Sequence, residues 1–248
     1  MSSERNSIGT FSGQTAIITG ATGGIGQAIV DRLVAADASV ILLARNPHAI
    51  DQLVGEYGWS RDLVECREVD LASEADVRRF ADEFGAAQRA VHLLVHAAGT
   101  IALGTIEASS LTDFDAQYQV NVRAPYQLTQ ALLPQLTGSG GQVVFINSSA
   151  GIHGRKGVGQ YAATKHALRA VADSLRDEVN ERGVRVLSVF LGRTASRMQS
   201  SVFAHEGRPY DPSRLIQPGD VASIVLAALQ VPRSAEVTDV HIRPMLKF

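Results

Sequence analysis

Residues 15–26 read Thr-Ala-Ile-Ile-Thr-Gly-Ala-Thr-Gly-Gly-Ile-Gly, a short apolar run followed by a glycine-rich turn. The run predicts a buried β-strand over 15–19, and the pattern over 25–36 predicts a helix that begins directly after the turn. Glycine allows positive φ in such a turn and lets the backbone approach a pyrophosphate without a Cβ in the way. The N-terminus of the following helix offers free N–H groups to an anion. The alternative is a tight turn that binds nothing.

The same alternation of apolar runs and amphipathic segments continues along the chain. Further strands are predicted at 38–44, 63–69, 91–96, 142–147, 184–190 and 237–242. Further helices are predicted at 47–57, 73–85, 112–136, 158–182 and 219–230. Several runs are almost continuously apolar, which is typical of parallel strands covered on both faces. We therefore predict one α/β domain over 13–248, a Rossmann-type doubly wound parallel sheet of about seven strands with helices on both faces, after a flexible tail at 1–12.

Composition narrows the possible partners of the 248-residue chain. Lys plus Arg number 23 and Asp plus Glu 25, for a net charge of −2, so neither nucleic acid nor an anionic membrane is expected as a partner. Cys66 is the only cysteine, and the seven histidines have no metal-ligand spacing, so we expect no disulfide and no metal. The N-terminus has no apolar leader segment, and the longest apolar runs are too short to span a bilayer, which predicts a soluble, cytoplasmic protein.

Four polar residues stand where chemistry is expected. Tyr161 and Lys165 are four residues apart in a predicted helix, so their side chains share one face. A phenol titrates near pKa ~10, and an ammonium beside it is expected to lower that pKa by ~1–3 units. Ser148 follows the end of a predicted strand, where open α/β sheets bind ligands, and Asn121 lies inside another predicted helix. The alternatives are a packed tyrosine, a solvated lysine, a loop-capping serine and a solvent-facing asparagine.

Together these features resemble the short-chain dehydrogenase/reductase family over roughly residues 13–242. The family pattern Thr-Gly-x-x-x-Gly-x-Gly matches at Thr19, Gly20, Gly24 and Gly26. The family's active-site tetrad falls on Asn121, Ser148, Tyr161 and Lys165. The resemblance implies dinucleotide contacts at Thr19, Gly20, Thr22, Gly24, Ile25, Gly26, Asp70, Leu71, Ala98, Gly99, Tyr161, Lys165, Gly192 and Thr194.

The resemblance also implies an activity, the interconversion of a small-molecule carbonyl and an alcohol. Ser148 and Tyr161 would hold the substrate oxygen, with Tyr161 as general acid in reduction and general base in oxidation. Lys165 would hold the nicotinamide ribose and lower the pKa of Tyr161. Asn121 would hold a water that links Lys165 to solvent.

The cofactor predicted from the second strand is NADP(H) rather than NAD(H). An NAD-selective site usually places an acidic residue about 20 residues past the glycine turn, to bind the ribose hydroxyls. Residues 42–46 read Leu-Leu-Ala-Arg-Asn instead, with no acid. Arg45 is placed to offer a bidentate guanidinium to the 2′-phosphate. The alternative is a surface arginine without a ligand.

Several positions depart from the family pattern outside the tetrad. His96 stands where an asparagine is usual, Leu191 where a proline stiffens the turn, and Ser196 where a threonine is usual. The chain ends Arg-Pro-Met-Leu-Lys-Phe rather than in a Gly-Gly turn, so a C-terminal contact between subunits is expected to differ.

The segment 193–216 lies where the family has a mobile substrate lid. It mixes Phe203 and Tyr210 with arginine and serine, which suits a partly apolar ketone or secondary alcohol but names no substrate. Arg155 and Lys156 are interpreted as solvated loop charges, with contact to an acidic substrate group as the alternative.

Small residues form a stripe along the helix at 158–182, namely Ala163, Ala167, Ala170 and Ser174. They would let another helix approach closely, and the resemblance favours a homotetramer or homodimer through this helix and 112–136. The alternative is packing on the protein's own sheet.

Two other classes of protein use the same fold. A cofactor-sensing regulator or scaffold without turnover needs the glycine turn but not the tetrad, so the intact tetrad favours an enzyme. A sugar-nucleotide epimerase or dehydratase needs a larger C-terminal domain, and the chain has no room for one after residue 182.

Overall fold

A single sheet organises the molecule in the computed structural model, which describes residues 11–246. Seven parallel strands of this part of the chain lie in the order β3-β2-β1-β4-β5-β6-β7. They are β1 Thr15–Thr19, β2 Ser39–Ala44, β3 Val64–Glu68, β4 Leu93–His96, β5 Gln142–Ser148, β6 Arg185–Leu191 and β7 Asp239–Ile242. This order confirms the predicted Rossmann-type fold, and the strand ends differ from the prediction by no more than two residues.

The crossovers between strands are helical. The helices are α1 Gly24–Ala35, α2 Pro47–Tyr57, α3 Glu74–Ala86, α4 Leu111–Tyr118, α5 Ala124–Ser139, α6 Gly159–Val179, α7 Arg197–His205 and α8 Pro218–Leu229. The buried side chains of α1, α2 and α8 join the core on one face of the sheet, and those of α3, α5 and α6 join the core on the other. No helix among residues 11–246 is both long and apolar enough to cross a membrane.

The continuous apolar runs are explained by these two cores. In β1, Ile18 packs into the core on the α1 side and its neighbour Ile17 packs into the core on the α5 side. Both side chains are fully buried. Successive side chains of a strand point to opposite faces. When both faces are covered, both sets of side chains are buried and the strand lacks the usual alternation of apolar and polar residues.

The helix predicted at 112–136 is interrupted, contrary to the prediction. A π-helical turn, Gln119–Arg123, separates α4 from α5, and the Ala124 N–H donates to the Gln119 carbonyl five residues earlier. A π-turn adds one residue to the helix without ending it, so a 3.6-residue pattern does not reveal it. The turn contains Asn121.

Two further features differ from the prediction. The segment 193–216 contains α7, a helix that was not predicted. In the predicted tail, Phe11 is only 4% exposed and its N–H donates to the Ala36 carbonyl at 2.9 Å. The ordered fold therefore begins before residue 13, because an aromatic side chain covers the end of α1. Residues 1–10 of the predicted tail lie outside the described residues.

The strand order places the ligand crevice. From β1 the chain proceeds outward through β2 and β3, then returns to β4 on the other side of β1. Crossovers therefore leave β1 and β4 in opposite directions, which opens a crevice at the carboxyl ends of these strands. Because all strands are parallel, the carboxyl ends of β5 and β6 lie at the same edge.

Candidate active site

The glycine turn after β1 is packed against the loop after β4. Gly20 has φ +73°, and a Cβ there would lie 2.5 Å from the Ala98 backbone nitrogen. A Cβ on Gly26 would overlap the carbonyl oxygen of Gly20. Glycine is thus required at both positions, for positive φ at Gly20 and for close packing of α1 on the turn at Gly26.

Thr19 ties the same two loops together. Its hydroxyl donates to the Val95 carbonyl at 3.4 Å and accepts from the Ala98 N–H at 3.3 Å. Thr19 is 2% exposed, so these bonds are shielded from water. The role of this threonine in the structure is to fix the crevice floor between β1 and β4.

The N-terminus of α1 is open toward the crevice edge. Gly23 is its N-cap, and among the described residues no side chain caps the helix and no acid lies in its first turn. Thr22 is exposed, and Gly24 and Ile25 are half-buried. The first N–H groups of a helix have no partner within it, so this end presents donors and a positive dipole.

Asn121 is buried by the loop after β4. Its side-chain oxygen accepts from the Thr100 N–H at 2.9 Å, and its amide nitrogen donates to the Thr100 carbonyl at 2.9 Å and to the Thr164 hydroxyl at 3.0 Å. It is 1% exposed, so the alternative of a solvent-facing asparagine is wrong. A Cβ on Gly99 would lie 3.4 Å from the Asn121 oxygen and 3.8 Å from the Lys165 Nζ, so the two side chains face one small space.

Lys165 is buried, and the alternative of a solvated lysine is wrong as well. Only 4% of the residue is exposed, and its Nζ donates to the Ile146 carbonyl at 3.1 Å. The ammonium lies 5.9 Å from the centre of the Tyr161 ring. Burial lowers the pKa of Lys165 to about 8, because a desolvated ammonium is less stable than the neutral amine.

The side chains of Tyr161 and Ser148 are hydrogen-bonded to each other. Burial raises the pKa of the Tyr161 phenol above its ordinary value, and a hydrogen bond with the Ser148 side chain lowers it. The expectation that the pKa of Tyr161 is lowered overall is wrong for this structure, because burial is the largest effect and raises it. Tyr161 is therefore a neutral, protonated phenol at neutral pH.

Ser148 also caps the loop that follows β5, which was the alternative role considered for it. Its hydroxyl oxygen accepts from the Ala150 N–H at 3.1 Å, so it does cap the short 3-10 turn after β5. A serine hydroxyl that accepts one bond can still donate another. The two roles are compatible.

Asn147 is a supporting residue that the sequence analysis did not identify. Its oxygen accepts from the Ser148 N–H at 2.7 Å, and its amide nitrogen donates to the Lys165 carbonyl at 3.2 Å. It is 3% exposed and ties the end of β5 to α6. The available signal was an amide side chain at the carboxyl end of the apolar run 142–147.

The other end of the crevice edge is more open. Arg45 follows β2, is exposed, and makes no ion pair within 4.0 Å among residues 11–246. Asp70 follows β3, and its carboxylate accepts from the Ala72 N–H at 3.0 Å. Leu71 is half-buried against the core on the α3 side. Arg45 and Asp70 thus follow neighbouring parallel strands, at the edge of the sheet where dinucleotide contacts are predicted.

The loop after β6 closes the crevice on the opposite side. The Gly192 N–H donates to the Ile242 carbonyl at 2.8 Å, and a Cβ on Gly192 would lie 2.9 Å from Pro244. Thr194 is 5% exposed, and its hydroxyl donates to the Gly192 carbonyl at 3.2 Å. Leu191 is the last residue of β6, so strand pairing restrains the turn that lacks the usual proline.

His96 lies in the core next to the crevice. It is 2% exposed, stacks on Phe145 at a centroid distance of 4.9 Å, and its Nε2 is 2.8 Å from the Thr129 hydroxyl oxygen. Its Nδ1 has no hydrogen-bond partner among the described residues. Burial lowers the pKa of His96 to about 3.

Two loop cations and the histidines were also considered as ligand-binding residues. Arg155 and Lys156 are exposed in the loop before α6. Among residues 11–246, no group of three or more His, Cys, Asp or Glu side chains could hold a metal ion.

A glycine turn, an open helix N-terminus and a Ser-Tyr-Lys cluster at the carboxyl edge of a doubly wound sheet define a class of dinucleotide-dependent oxidoreductases. The short chain dehydrogenase family model matches residues 14–207. The chain belongs to the short-chain dehydrogenase/reductase family and is an oxidoreductase of that family.

Individual relatives agree with this assignment over nearly the whole chain. An uncharacterised oxidoreductase of Staphylococcus epidermidis is 28% identical over 94% of this chain and 97% of its own. A short-chain type dehydrogenase/reductase of Sinorhizobium fredii is 29% identical over 93% of this chain and 91% of its own.

Solved structures are similar as well. A short chain dehydrogenase from Escherichia coli CFT073 complexed with NADPH has a TM-score of 0.84 and 29% identity, over 93% of this chain and 96% of that one. A metagenomic short-chain oxidoreductase in complex with NADP has a TM-score of 0.80 and 28% identity, over 96% of this chain and 99% of that one.

Proposed function

We propose that the protein is an NADP(H)-dependent oxidoreductase that interconverts a carbonyl and an alcohol, with Tyr161 as the general acid or base. The observation that carries this proposal is the burial of Lys165 beside Asn121 and close to Tyr161, whose hydroxyl is hydrogen-bonded with the Ser148 side chain. Burial of an ammonium costs desolvation free energy and destabilises the fold. Titratable groups with shifted pKa values in a crevice are typical of active sites.

The described residues fit a dinucleotide. Gly20 and Gly26 let the turn pack closely against its neighbours, and among the described residues no side chain caps the N-terminus of α1 and no acid lies in its first turn. We propose that these donors hold the pyrophosphate, that Lys165 holds the nicotinamide ribose, and that Gly192 and Thr194 border the nicotinamide. Exposed Arg45, without an acid beside it, favours the 2′-phosphate of NADP(H). Solved relatives complexed with NADP or NADPH support this choice.

The residues of the cluster divide the work of carbonyl reduction. When bound, NADPH supplies the hydride that reduces the carbonyl carbon. Ser148 and Tyr161 donate hydrogen bonds to the carbonyl oxygen, and the Tyr161 O–H bond breaks as its proton moves to that oxygen. The raised pKa of Tyr161 keeps this proton in place until the oxygen gains charge. Lys165 stabilises the phenolate that is left, and Asn121 fixes the loop that faces Lys165.

The test is NADPH oxidation, followed at 340 nm, over a panel of aldehydes and ketones. Turnover of any carbonyl that is at least tenfold faster with NADPH than with NADH would support the proposal. NADPH binding without turnover of any carbonyl would favour the cofactor-sensing scaffold. Equal or better efficiency with NADH would overturn the cofactor choice.

We also propose a homo-oligomer, most simply a tetramer. Ala163, Ala170 and Ser174 are exposed on α6 and Ala167 is half-buried, so the small-residue stripe does not pack on the protein's own sheet. Large side chains are also exposed on α4, at Leu111 and Tyr118, and on α5, at Tyr126. They form an apolar surface that a second subunit could bury. Light scattering at micromolar concentration is expected to give an oligomer, and a monomeric mass would contradict this.

A further inference from the structure

A buried glutamine of α4 makes contacts that the proposed chemistry does not use. Gln117 is 1% exposed, like Asn121 one turn later. Its side-chain oxygen accepts from the Ala102 N–H at 3.0 Å, and its amide nitrogen donates to the Asp113 carbonyl at 3.2 Å and to the Gln160 side-chain oxygen at 3.1 Å. This one side chain therefore joins the loop after β4 to α4 and to α6.

Gln117 repeats the arrangement of Asn121. Asn121 bonds Thr100 of the same loop and Thr164 of α6. The partners of Gln117 lie two residues later in the loop and four residues earlier in α6. This spacing is expected for an extended loop beside two helices, because four helical residues advance about 6 Å and two extended residues about 6.6 Å. The two amides thus hold the same three segments together at successive steps.

The beginning of α6 depends on such contacts because it has no cap of its own. Val158 is its N-cap, and among residues 11–246 no side chain caps this helix and no acid lies in its first turn. The first N–H groups of a helix have no partner within it, so an uncapped first turn is less stable. Gln160 lies in that turn, and its amide nitrogen donates to the carbonyl of Ser110, the N-cap of α4, at 2.8 Å. The Gln160 side chain therefore attaches the first turn of α6 to α4 at two points.

Tyr161 directly follows Gln160 in this turn. On the other side of Tyr161, the Thr164 hydroxyl donates to the Tyr161 carbonyl at 2.8 Å and accepts from the Asn121 amide at 3.0 Å. The backbone of the proposed general acid is therefore held at both ends of one helical turn, at 160 by Gln117 and at 164 by Asn121.

We propose that Gln117 and Gln160 are positioning residues, which fix the first turn of α6 against the loop after β4 and so hold the Tyr161 hydroxyl where it protonates the substrate oxygen. They act through Tyr161 rather than on the reacting atoms. The inference rests on the proposed function, which makes Tyr161 the proton donor. Misplacing a reacting group by about 1 Å costs up to about 100-fold in rate, so bonds that fix this turn bear directly on turnover.

The first test measures whether the glutamines act through Tyr161. Gln160→Met keeps the length of the side chain and removes both of its bonds, so kcat for carbonyl reduction is expected to fall about tenfold. In a Tyr161→Phe background the same substitution should change kcat by less than about twofold, because no hydroxyl is left to misplace. A loss by the same factor in both backgrounds would indicate general damage and would overturn the proposal.

A conservative variant separates the two bonds of Gln160. In Gln160→Glu the carboxylate still accepts from the Gln117 amide but cannot donate to the Ser110 carbonyl, and a negative charge in the first turn of a helix is favourable. This variant should recover kcat to within about threefold of the wild type. A kcat no higher than that of Gln160→Met would show that the bond to Gln117 does not position Tyr161.

The matched control is Gln127→Met on α5. Gln127 is also half-buried, and its amide nitrogen donates to the Glu74 carbonyl at 2.9 Å, so it likewise joins two helices. Its kcat should stay within about twofold of the wild type. A tenfold loss in this control as well would mean that any glutamine between two helices has the same effect, which would contradict a specific role for Gln160.

A second readout needs no turnover. Hydrogen exchange over 158–165 should be about fivefold faster in Gln160→Met than in the wild type, and exchange over 100–104 about fivefold faster in Gln117→Met, because each segment loses an attachment. Gln127→Met should exchange at the wild-type rate in both segments. Unchanged exchange in the first two variants would overturn the proposal even if carbonyls are reduced. A wild-type protein that reduces no carbonyl would instead refute the proposed function, and with it the role of the two glutamines in catalysis.

Discussion

At one end of the proposed cofactor groove, Lys165 and Asn121 are 4% and 1% exposed, and they are bonded to backbone groups of β5 and of the loop after β4. At the other end, Arg45 is exposed and has no ion pair among the described residues. The nicotinamide end is therefore built into the core, and its geometry is fixed before any ligand arrives. The adenosine end depends on one solvated side chain. Chemistry and cofactor choice are thus separable, and a substitution should change one without the other.

The largest effect is expected from Tyr161→Phe. The variant lacks the proton donor, so kcat should fall by roughly 10²–10⁴-fold, the usual contribution of a general acid. The NADPH Kd from fluorescence titration should stay within about twofold, because the phenyl ring still fills the same space. Tyr126→Phe, at a tyrosine that is 53% exposed, is the matched control and should retain full activity. A Tyr161→Phe variant with more than a tenth of wild-type turnover would show that another group supplies the proton.

Arg45→Asp should affect the opposite end alone. The kcat/KM with NADPH should fall by roughly 10- to 100-fold, since a charge-assisted hydrogen bond contributes about 1.5–3 kcal/mol. With NADH the value should hold or rise, because the new carboxylate can accept from the ribose hydroxyls. Arg182→Asp makes the same charge change between α6 and β6, at the other edge of the sheet, and is the control. A parallel loss with both cofactors would mean that Arg45 supports the fold rather than the phosphate.

The pH dependence should report Lys165. Its pKa is lowered to about 8, so the amine is charged below that pH and neutral above it. The kcat/KM for NADPH-dependent reduction should therefore fall above pH 8 by up to about tenfold per unit, since this ratio titrates groups of the free enzyme. Lys165→Arg keeps its charge to far higher pH, and its profile, although lower, should not bend near pH 8. A fall in kcat/KM near pH 8 in both the wild type and Lys165→Arg would show that another group titrates there.

The smallest effect concerns the buried histidine beside the groove. His96 titrates at about 3 in the fold against 6.5 in the unfolded chain, so the unfolded state binds a proton in the window between these values. Stability is then unaffected above pH 6.5 and falls by about 1.4 kcal/mol per unit below it. Between pH 7 and pH 5 the wild type should lose roughly 4–8 °C more in Tm than His96→Asn. His241→Asn, at an exposed histidine, should behave as the wild type, and equal acid sensitivity of all three would contradict this account.

The repetitive parts of the fold were predictable from the sequence, because a strand covered on both faces consists mainly of apolar residues. The centres of β1 and β5 show this in their apolar runs at 16–18 and 143–146. The glycine turn was predictable for a similar reason, since only glycine fits where Gly20 meets Ala98. The tetrad stays a prediction from its spacing and its family resemblance.

What escaped prediction depends on contacts between residues distant in sequence. Asn147 and Thr164 support the tetrad through bonds that no local pattern shows. The pKa of Tyr161 was expected to fall, yet it rises, because burial is set by the whole fold. α7 is a short helix stabilised by Phe203 and Tyr210 rather than by a strong apolar periodicity of its own.

The π-turn at Gln119–Arg123 determines how the helix would tolerate the loss of one residue. Since it holds one residue more than an α-helix of the same span, a gene that lost a single codon there would still encode a continuous helix from α4 into α5. The side chains of α4 and α5 would keep their facing, because the turn already absorbs the extra residue, and only side chains within the turn would shift. Asn121 would then leave Thr100 while the buried leucines of α5 kept their places. We expect such an allele to give a folded protein whose active site has lost the contacts of Asn121 with Thr100.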